Sequence, residues 1–205
     1  MHPLLKNSPM LTVPPLETPR LVVRPFTLDD LVAIHQILDV ELGDAEFETE
    51  GAQTLKERRD WLEWAVRNYE ALARLYQPPY GDRAVVLKET GRLIGAVGFV
   101  PCLGPFGQLP YFRAESGESR RFTTEFGLYY AFSPIFHRQG YATEAAQTMA
   151  DYAFTQLNLK RVVATTAYEN AASIGVMRKL GMRIEKNPHP DPPWFQVVGV
   201  LENPG

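Results

Sequence analysis

Cysteine is nearly absent. Cys102 stands alone among 205 residues, so no disulfide can close within the chain. Histidine is scarce too, with four residues, and one thiol with four scattered imidazoles offers none of the spacings of a structural zinc site. The expectations are a reducing compartment, the cytoplasm, and no bound metal. Nor does charge of one sign prevail: Lys and Arg number 21 against 24 Asp and Glu, a formal net charge of -3. That balance argues against phosphate-backbone binding, and so against nucleic acid as a direct partner. Long hydrophobic runs are missing as well. The apolar stretch from Leu93 to Leu103 is too short to cross a bilayer, and Gly95, Gly98 and Pro101 interrupt it. The opening Met1-His2-Pro3-Leu4-Leu5-Lys6 has no basic start ahead of an apolar stretch and no small-residue cleavage site, so no leader is read.

What is present suits one globular domain. At this length, with 45% hydrophobic residues, folding can bury roughly 70% of the unfolded chain's surface without covalent staples. Prolines crowd both ends. Five precede residue 20 and five follow residue 187, so residues 1–19 read as an extended Pro-rich segment ahead of a single domain over 20–205.

Strands are expected at Arg20–Phe26, Ala84–Lys88, Leu93–Val100, Phe122–Phe132, Arg161–Thr166 and Trp194–Leu201. Helices are expected after the near capping box of Thr27 and Asp30, over Thr54–Leu75, Gly140–Leu157 and Ala171–Leu180. Residues 101–120, rich in Gly, Pro and aromatics, read as a long loop. In Phe122–Phe132 alternation puts Glu125, Gly127, Tyr129 and Ala131 on one face, with Phe126, Leu128, Tyr130 and Phe132 on the other.

The chemistry centres on His137-Arg138-Gln139-Gly140-Tyr141-Ala142-Thr143-Glu144-Ala145, a turn that leaves a strand and enters an alanine-rich helix. The first N–H groups of a helix have no intrahelical partner, and together they carry about half a positive charge. Such an end binds phosphate or pyrophosphate, although tight helix–sheet packing alone would also explain small residues there. This stretch resembles the Gln/Arg-x-x-Gly-x-Gly/Ala coenzyme A loop of the GNAT N-acetyltransferase superfamily, and Thr143-Glu144-Ala145 looks like its ribosomal-protein alanine acetyltransferase (RimJ/RimL-like) branch. A second block, Asn170-Ala171-Ala172-Ser173 followed by Lys179-Leu180-Gly181-Met182, is similar to the same branch. So is the opening Glu17-Thr18-Pro19-Arg20-Leu21.

The resemblance implies a mixed α+β fold with a mostly antiparallel sheet of about seven strands, splayed at a V-shaped split and flanked by about four helices. It implies acetyl-CoA as co-substrate, its pyrophosphate on the main chain of Arg138, Gln139, Gly140, Tyr141, Ala142 and Thr143. The pantetheine would lie along the strand ending at Phe132, with Asn170 and Ser173 beside it; helix capping is the plainer role for Asn170. The reaction implied is direct attack of an amine, from a protein N-terminus or a small molecule, on the thioester. Lysine-type amines have a pKa of about 10.4 and α-amines about 7.8, so a base matters more for the former. Glu125 is the candidate base, with a surface ion pair as its plainer reading, and Ser173 is the candidate partner of the departing sulfur.

This chain departs from the pattern at three places: Met177 stands where the superfamily's tyrosine acid is expected, His137 stands at the Gln/Arg position, and Gly175 stands where a basic residue is common. The run Asp39, Glu41, Asp44, Glu46, Glu48 and Glu50 could draw in a cationic acceptor or form a solvated loop. Phe106, Tyr111 and Phe112 could cover the acceptor or bury their own loop. A hydrolase elbow at Ser173 is excluded by chain order, since too few residues follow it to carry a later acid and histidine. A dinucleotide fold lacks its glycine fingerprint. A coenzyme-binding module without turnover stays open, as does monomer or homodimer.

Overall fold

A computed structural model describes residues 13–43, 52–78, 80–116 and 121–205. The elements run β1 (Leu16–Glu17), β2 (Leu21–Pro25), α1 (Leu31–His35, continued by a π-helical turn, Gln36–Glu41), α2 (Leu55–Arg74), β3 (Gly81–Leu87), β4 (Leu93–Gly104), α3 (Pro110–Ser116), β5 (Thr123–Phe132), α4 (Tyr141–Thr155), β6 (Arg161–Thr166), α5 (Ala171–Lys179), β7 (Arg183–Lys186) and β8 (Val197–Glu202). They form one sheet in the order β1-β2-β3-β4-β5-β6-β8-β7. Every neighbouring pair is antiparallel except β5 with β6. Among the described residues no helix is long and apolar enough to cross a membrane.

The expected mixed α+β architecture is present, with eight strands rather than about seven. The two strands missing from the sequence reading are short: β1 has two residues and β7 four, too few for alternation to register. Residues 13–19, read as part of an extended segment, join the body. Val13 is buried, and the buried Arg83 donates from Nη2 to the carbonyls of Val13 and Pro14.

The larger revision concerns residues 101–116; residues 117–120 lie outside the described residues. Instead of a loop, β4 continues through Pro101 to Gly104, and a 3-10 turn at Phe106–Gln108 and α3 follow. Proline is tolerated because β3 pairs with β4 only as far as Phe99, so beyond that point β4 is an edge and needs no donor on its outer side. Phe106, Leu109 and Phe112 are all buried, against Val163, Phe195, Val198 and Val200. These aromatics bury their own segment. The helices match their expected positions: α2 opens on a complete capping box between Thr54 and Glu57, and α5 on an Asn170 cap.

Layering follows from the two-residue period of the strands. One face carries α4 and α5 over Leu128, Phe132, Val162 and Ala164. Ala145, Ala146, Ala150 and Ala153 are fully buried there, small side chains that let α4 lie close to the sheet. The opposite face is covered in two separate parts, by α1 and α2 over Ala84, Ala96 and Tyr129, and by segment 105–116 over β6 and β8.

Candidate functional site

β5 and β6 touch at a single register pair, Gly127 with Val163. Beyond it the strands part, because β5 stays on β4 as far as Phe132 while β6 follows β8. A gap thus opens toward the C-terminal ends of two parallel strands, where ligands of open α/β sheets bind. Ser133 donates its N–H to Ile94 O on β4 at 3.0 Å. The other side of that planar peptide, the Phe132 carbonyl, therefore points away from β4, and His137 Nε2 donates to it at 2.8 Å. The Phe132 carbonyl thus has a partner on this loop, and of this residue's two main-chain groups the N–H is the one left facing the gap. His137, at the place expected to contact phosphate, instead ties the loop to the end of β5.

The loop entering α4 is held open by backbone geometry. Gly140 has φ +84 and caps the helix in the left-handed region; Arg138 is left-handed too, at φ +59. The flanking amides are spent, His137 N–H on Pro134 O and Glu144 N–H on Gly140 O. Among the described residues no acceptor takes the N–H groups of 138 to 143. Unspent amides at a helix start are what an anionic diphosphate needs.

A long-range brace fixes this loop. Arg20 donates from Nε to Glu144 Oε2 at 2.7 Å and from Nη1 to Gln139 O at 3.0 Å, with its guanidinium 4.2 Å from the centre of the Tyr141 ring. Thr18 Oγ1 donates to Glu144 Oε1 at 2.5 Å. Burial alone would push the Glu144 carboxyl up, but the bonds from Thr18 and Arg20 outweigh it and hold it below its ordinary range. Arg20 and Thr18 lie in the opening motif, whose role the sequence alone does not disclose.

At the far lip of the gap, Asn170 Oδ1 accepts from Ser173 N–H at 2.9 Å. Asn170 is therefore a helix cap, and only its Nδ2 donor remains to meet a ligand. Ser173 has a partner the sequence reading missed. The Tyr130 hydroxyl, on β5, lies 2.9 Å from Ser173 Oγ and donates to Ser173 O at 3.0 Å. This pair spans the open end of the gap. Met177 is fully buried and brings no proton to the place where the tyrosine acid was expected.

Comparison with known proteins settles the family. The acetyltransferase (GNAT) domain family model matches residues 20–183. The chain belongs to the GNAT acetyltransferase family. An uncharacterized N-acetyltransferase of Bacillus subtilis, YnaD, is 29% identical over 174 residues, covering 83% of each chain. A GNAT-family acetyltransferase structure from Bacillus anthracis superposes with a TM-score of 0.66 at 23% identity, over 93% of this chain and 99% of that one. RimL, a ribosomal L7/L12 α-N-protein acetyltransferase solved in complex with coenzyme A, gives 0.59 at 16% identity, over 92% and 96%. The chain is an acyltransferase by family, and the GNAT fold uses acetyl-CoA.

Within this GNAT domain, Glu125 is not a free carboxylate. Arg161 clasps it from Nε at 2.8 Å and Nη2 at 2.5 Å, with both side chains 11% exposed. Arg161 in turn lies against the faces of Phe112 and Tyr111. Glu125 also precedes the Gly127–Val163 contact and so sits on the closed side of the gap. The plainer reading of Glu125, an ion pair, is the one this geometry supports. We predict that Glu125→Gln destabilises the fold by about 3–5 kcal/mol, the cost of leaving a buried partner charge unpaired, without moving the pH profile of turnover. Thermal melts and pH–rate curves check both.

Cys102 lies beside Glu125 in the β4–β5 register. Burial, and then the Glu125 charge, push its thiol up to about 11, so it stays protonated and is no nucleophile. Of the acidic run, Asp44, Glu46, Glu48 and Glu50 lie outside the described residues. Asp39 is 3% exposed and spent on Arg58, His35 and the Gln53 amide. It serves the fold and is not offered to an acceptor.

Proposed function

We propose that this GNAT protein transfers the acetyl group of acetyl-CoA to a primary amine, a small molecule or a protein N-terminus, by direct attack in a ternary complex. One observation carries the reading: the unspent amides of residues 138 to 143 stand at the mouth of a gap that closes at Gly127 and Val163. The residues fit the coenzyme. Arg138, Gln139, Gly140, Tyr141, Ala142 and Thr143 would hold its diphosphate, Asn170 Nδ2 and the N–H of Phe132 its pantetheine. The motif likeness to the ribosomal-protein alanine acetyltransferase branch supports this half of the site.

When bound, the coenzyme supplies an acetyl thioester, already activated toward an amine. The protein needs no nucleophile of its own, in keeping with a buried, protonated Cys102. Its contribution is positioning, which can supply roughly 7–11 kcal/mol of a barrier, and proton placement at Ser173 Oγ. Ser173 Oγ would donate its proton to the leaving sulfur, Tyr130 would turn its proton from Ser173 O to Ser173 Oγ, and the proton shed by the attacking amine would return to Tyr130 through solvent.

Tyr130→Phe is therefore expected to lower kcat by about 100-fold, the low end of what a positioned proton donor contributes, with the acceptor KM little changed. Ser173→Ala should do the same, and the double variant should be no worse than either alone, because the two hydroxyls act as one relay. Additive losses would separate them. The reading as a whole is tested by coenzyme A calorimetry and by thiol release from acetyl-CoA across a panel of amines. Tight binding without any turnover would make the chain a coenzyme-binding module.

A further inference from the structure

The turn between β3 and β4 reaches the loop that enters α4. Gly95 is in register with Phe132, so the residues just ahead of β4 stand beyond the end of β5, where that loop begins. The turn is fixed from within: Leu87 N–H donates to Arg92 O at 2.9 Å, Gly91 N–H to Leu87 O at 2.8 Å and Arg92 N–H to Thr90 Oγ1 at 3.3 Å, with Gly91 left-handed at φ +68. Arg92 is exposed, and its guanidinium has no carboxylate or carbonyl partner among the described residues. It lies 5.1 Å from the centre of the Phe136 ring instead. Phe136 meets the Tyr141 ring edge-on at 6.2 Å between centres, and the Arg20 guanidinium covers Tyr141 at 4.2 Å. Arg92, Phe136, Tyr141 and Arg20 thus form one line of contacts, from the β3–β4 turn to the start of β2, and the two rings bracket residues 137–140.

What the rings bracket is strained. Arg138 is left-handed at φ +59, a conformation unfavourable to any residue with a Cβ, and such backbone persists only where its surroundings over-determine it. Two side-chain bonds act locally, His137 Nε2 on Phe132 O and Gln139 Nε2 on Ile135 O at 3.1 Å. Both run within the loop and its own strand, so they fix the loop's shape but not its place over the sheet. Placement comes from other elements: Thr18 and Arg20 hold the Glu144 end, while the main apolar core and Arg92 hold the Phe136 end.

We propose that Arg92 is a positioning residue for the coenzyme: stacked on Phe136, it seats the loop so that the N–H groups of 138 to 143 stay aimed at one diphosphate. This rests on the acetyltransferase reading above. The action is indirect, through Phe136 and then Tyr141, on a loop whose amides the ligand uses. A brace of this kind lowers the ordering cost of binding, so its loss appears in coenzyme affinity and not in the chemical step.

The test is calorimetric titration of coenzyme A into the full chain and its variants. Arg92→Ala should weaken binding about fivefold, the size of one exposed cation–ring contact, with KM for acetyl-CoA rising alike and kcat at saturation unmoved. Phe136→Leu should lose about as much, and the double variant no more than either alone, because the two side chains make one contact. Two independent contributions would multiply to about 25-fold and overturn the proposal. A charge acting at a distance is screened by salt, whereas a contact is not. The Arg92→Ala deficit should therefore be the same in about 0.05 M and about 0.5 M NaCl, and a deficit that vanishes at high salt overturns bracing by contact. Arg92 is exposed, so Arg92→Ala should melt within about 2 °C of the parent chain, which separates lost affinity from lost folding. Unchanged affinity in Arg92→Ala overturns the proposal as well. A parent chain that binds no coenzyme A brings down the acetyltransferase reading, and this proposal with it.

Discussion

Gly140→Glu is expected to abolish coenzyme A binding, with affinity falling by about 100-fold or more in calorimetry. Two effects add. Gly140 sits at φ +84, where an L-residue costs about 1–2 kcal/mol, and a Cβ built there meets Arg20 Nη2 at 3.4 Å. The larger effect is charge. A carboxylate placed among the N–H groups of 138 to 143 competes for the same donors as a diphosphate and repels it, a like-charge penalty of several kcal/mol. Gly140→Ala separates the two, since it carries the backbone strain without the charge and should weaken binding only about tenfold. Because Arg20 also holds Glu144 and Gln139, the introduced glutamate can draw Arg20 off its brace and loosen the loop further. Unchanged affinity in Gly140→Glu would remove the loop from the coenzyme site.

Arg58→Ala is expected to cost about 3–5 kcal/mol of stability in urea unfolding, because it strands a buried Asp39. The guanidinium binds Asp39 through two bonds, at 2.8 and 2.7 Å, and stacks over Trp61 at 4.8 Å. Burial by itself pushes the Asp39 carboxyl up; the bonds from Arg58, the Gln53 amide and His35 outweigh it and leave it below its ordinary range. A depressed carboxyl stabilises the fold above its unfolded value and loses that contribution as pH falls through the folded one. The parent chain should therefore weaken as pH drops below about 4. Arg58→Ala should weaken less steeply over the same interval, having less of this contribution to lose. An unchanged acid slope would show that Asp39 does not depend on Arg58.

The proposed coenzyme half of the site is legible in the sequence because its geometry is local. The left-handed Gly140, the helix start after it and the Asn170 cap on Ser173 each depend on residues a few positions apart, so spacing and residue type suffice. The acceptor half is not. Glu125 reads as a candidate base until Arg161, 36 positions away, takes both its oxygens. Tyr130 reads as one more aromatic of an alternating strand until Ser173 arrives 43 positions later. Arg20 reads as the start of a strand, although its partner Glu144 is 124 positions on. Residues 101–116 read as a loop for a related reason: Pro101 breaks a strand only where a neighbour needs its N–H, and pairing with β3 stops at Phe99.

From the sequence came the order of most strands and helices and the candidate diphosphate loop, since propensity, period and composition act over short range. Tertiary structure alone decided which carboxylates are free and which are paired. A carboxylate's chemistry is set by the groups within a few ångströms of its oxygens, and only the register of the sheet and the crossover from β5 through α4 to β6 bring those groups there. Asp82 is the clearest instance: in the sequence it is one acid among 24, and in the fold its Oδ1 is shut off from solvent with no hydrogen-bond partner among the described residues.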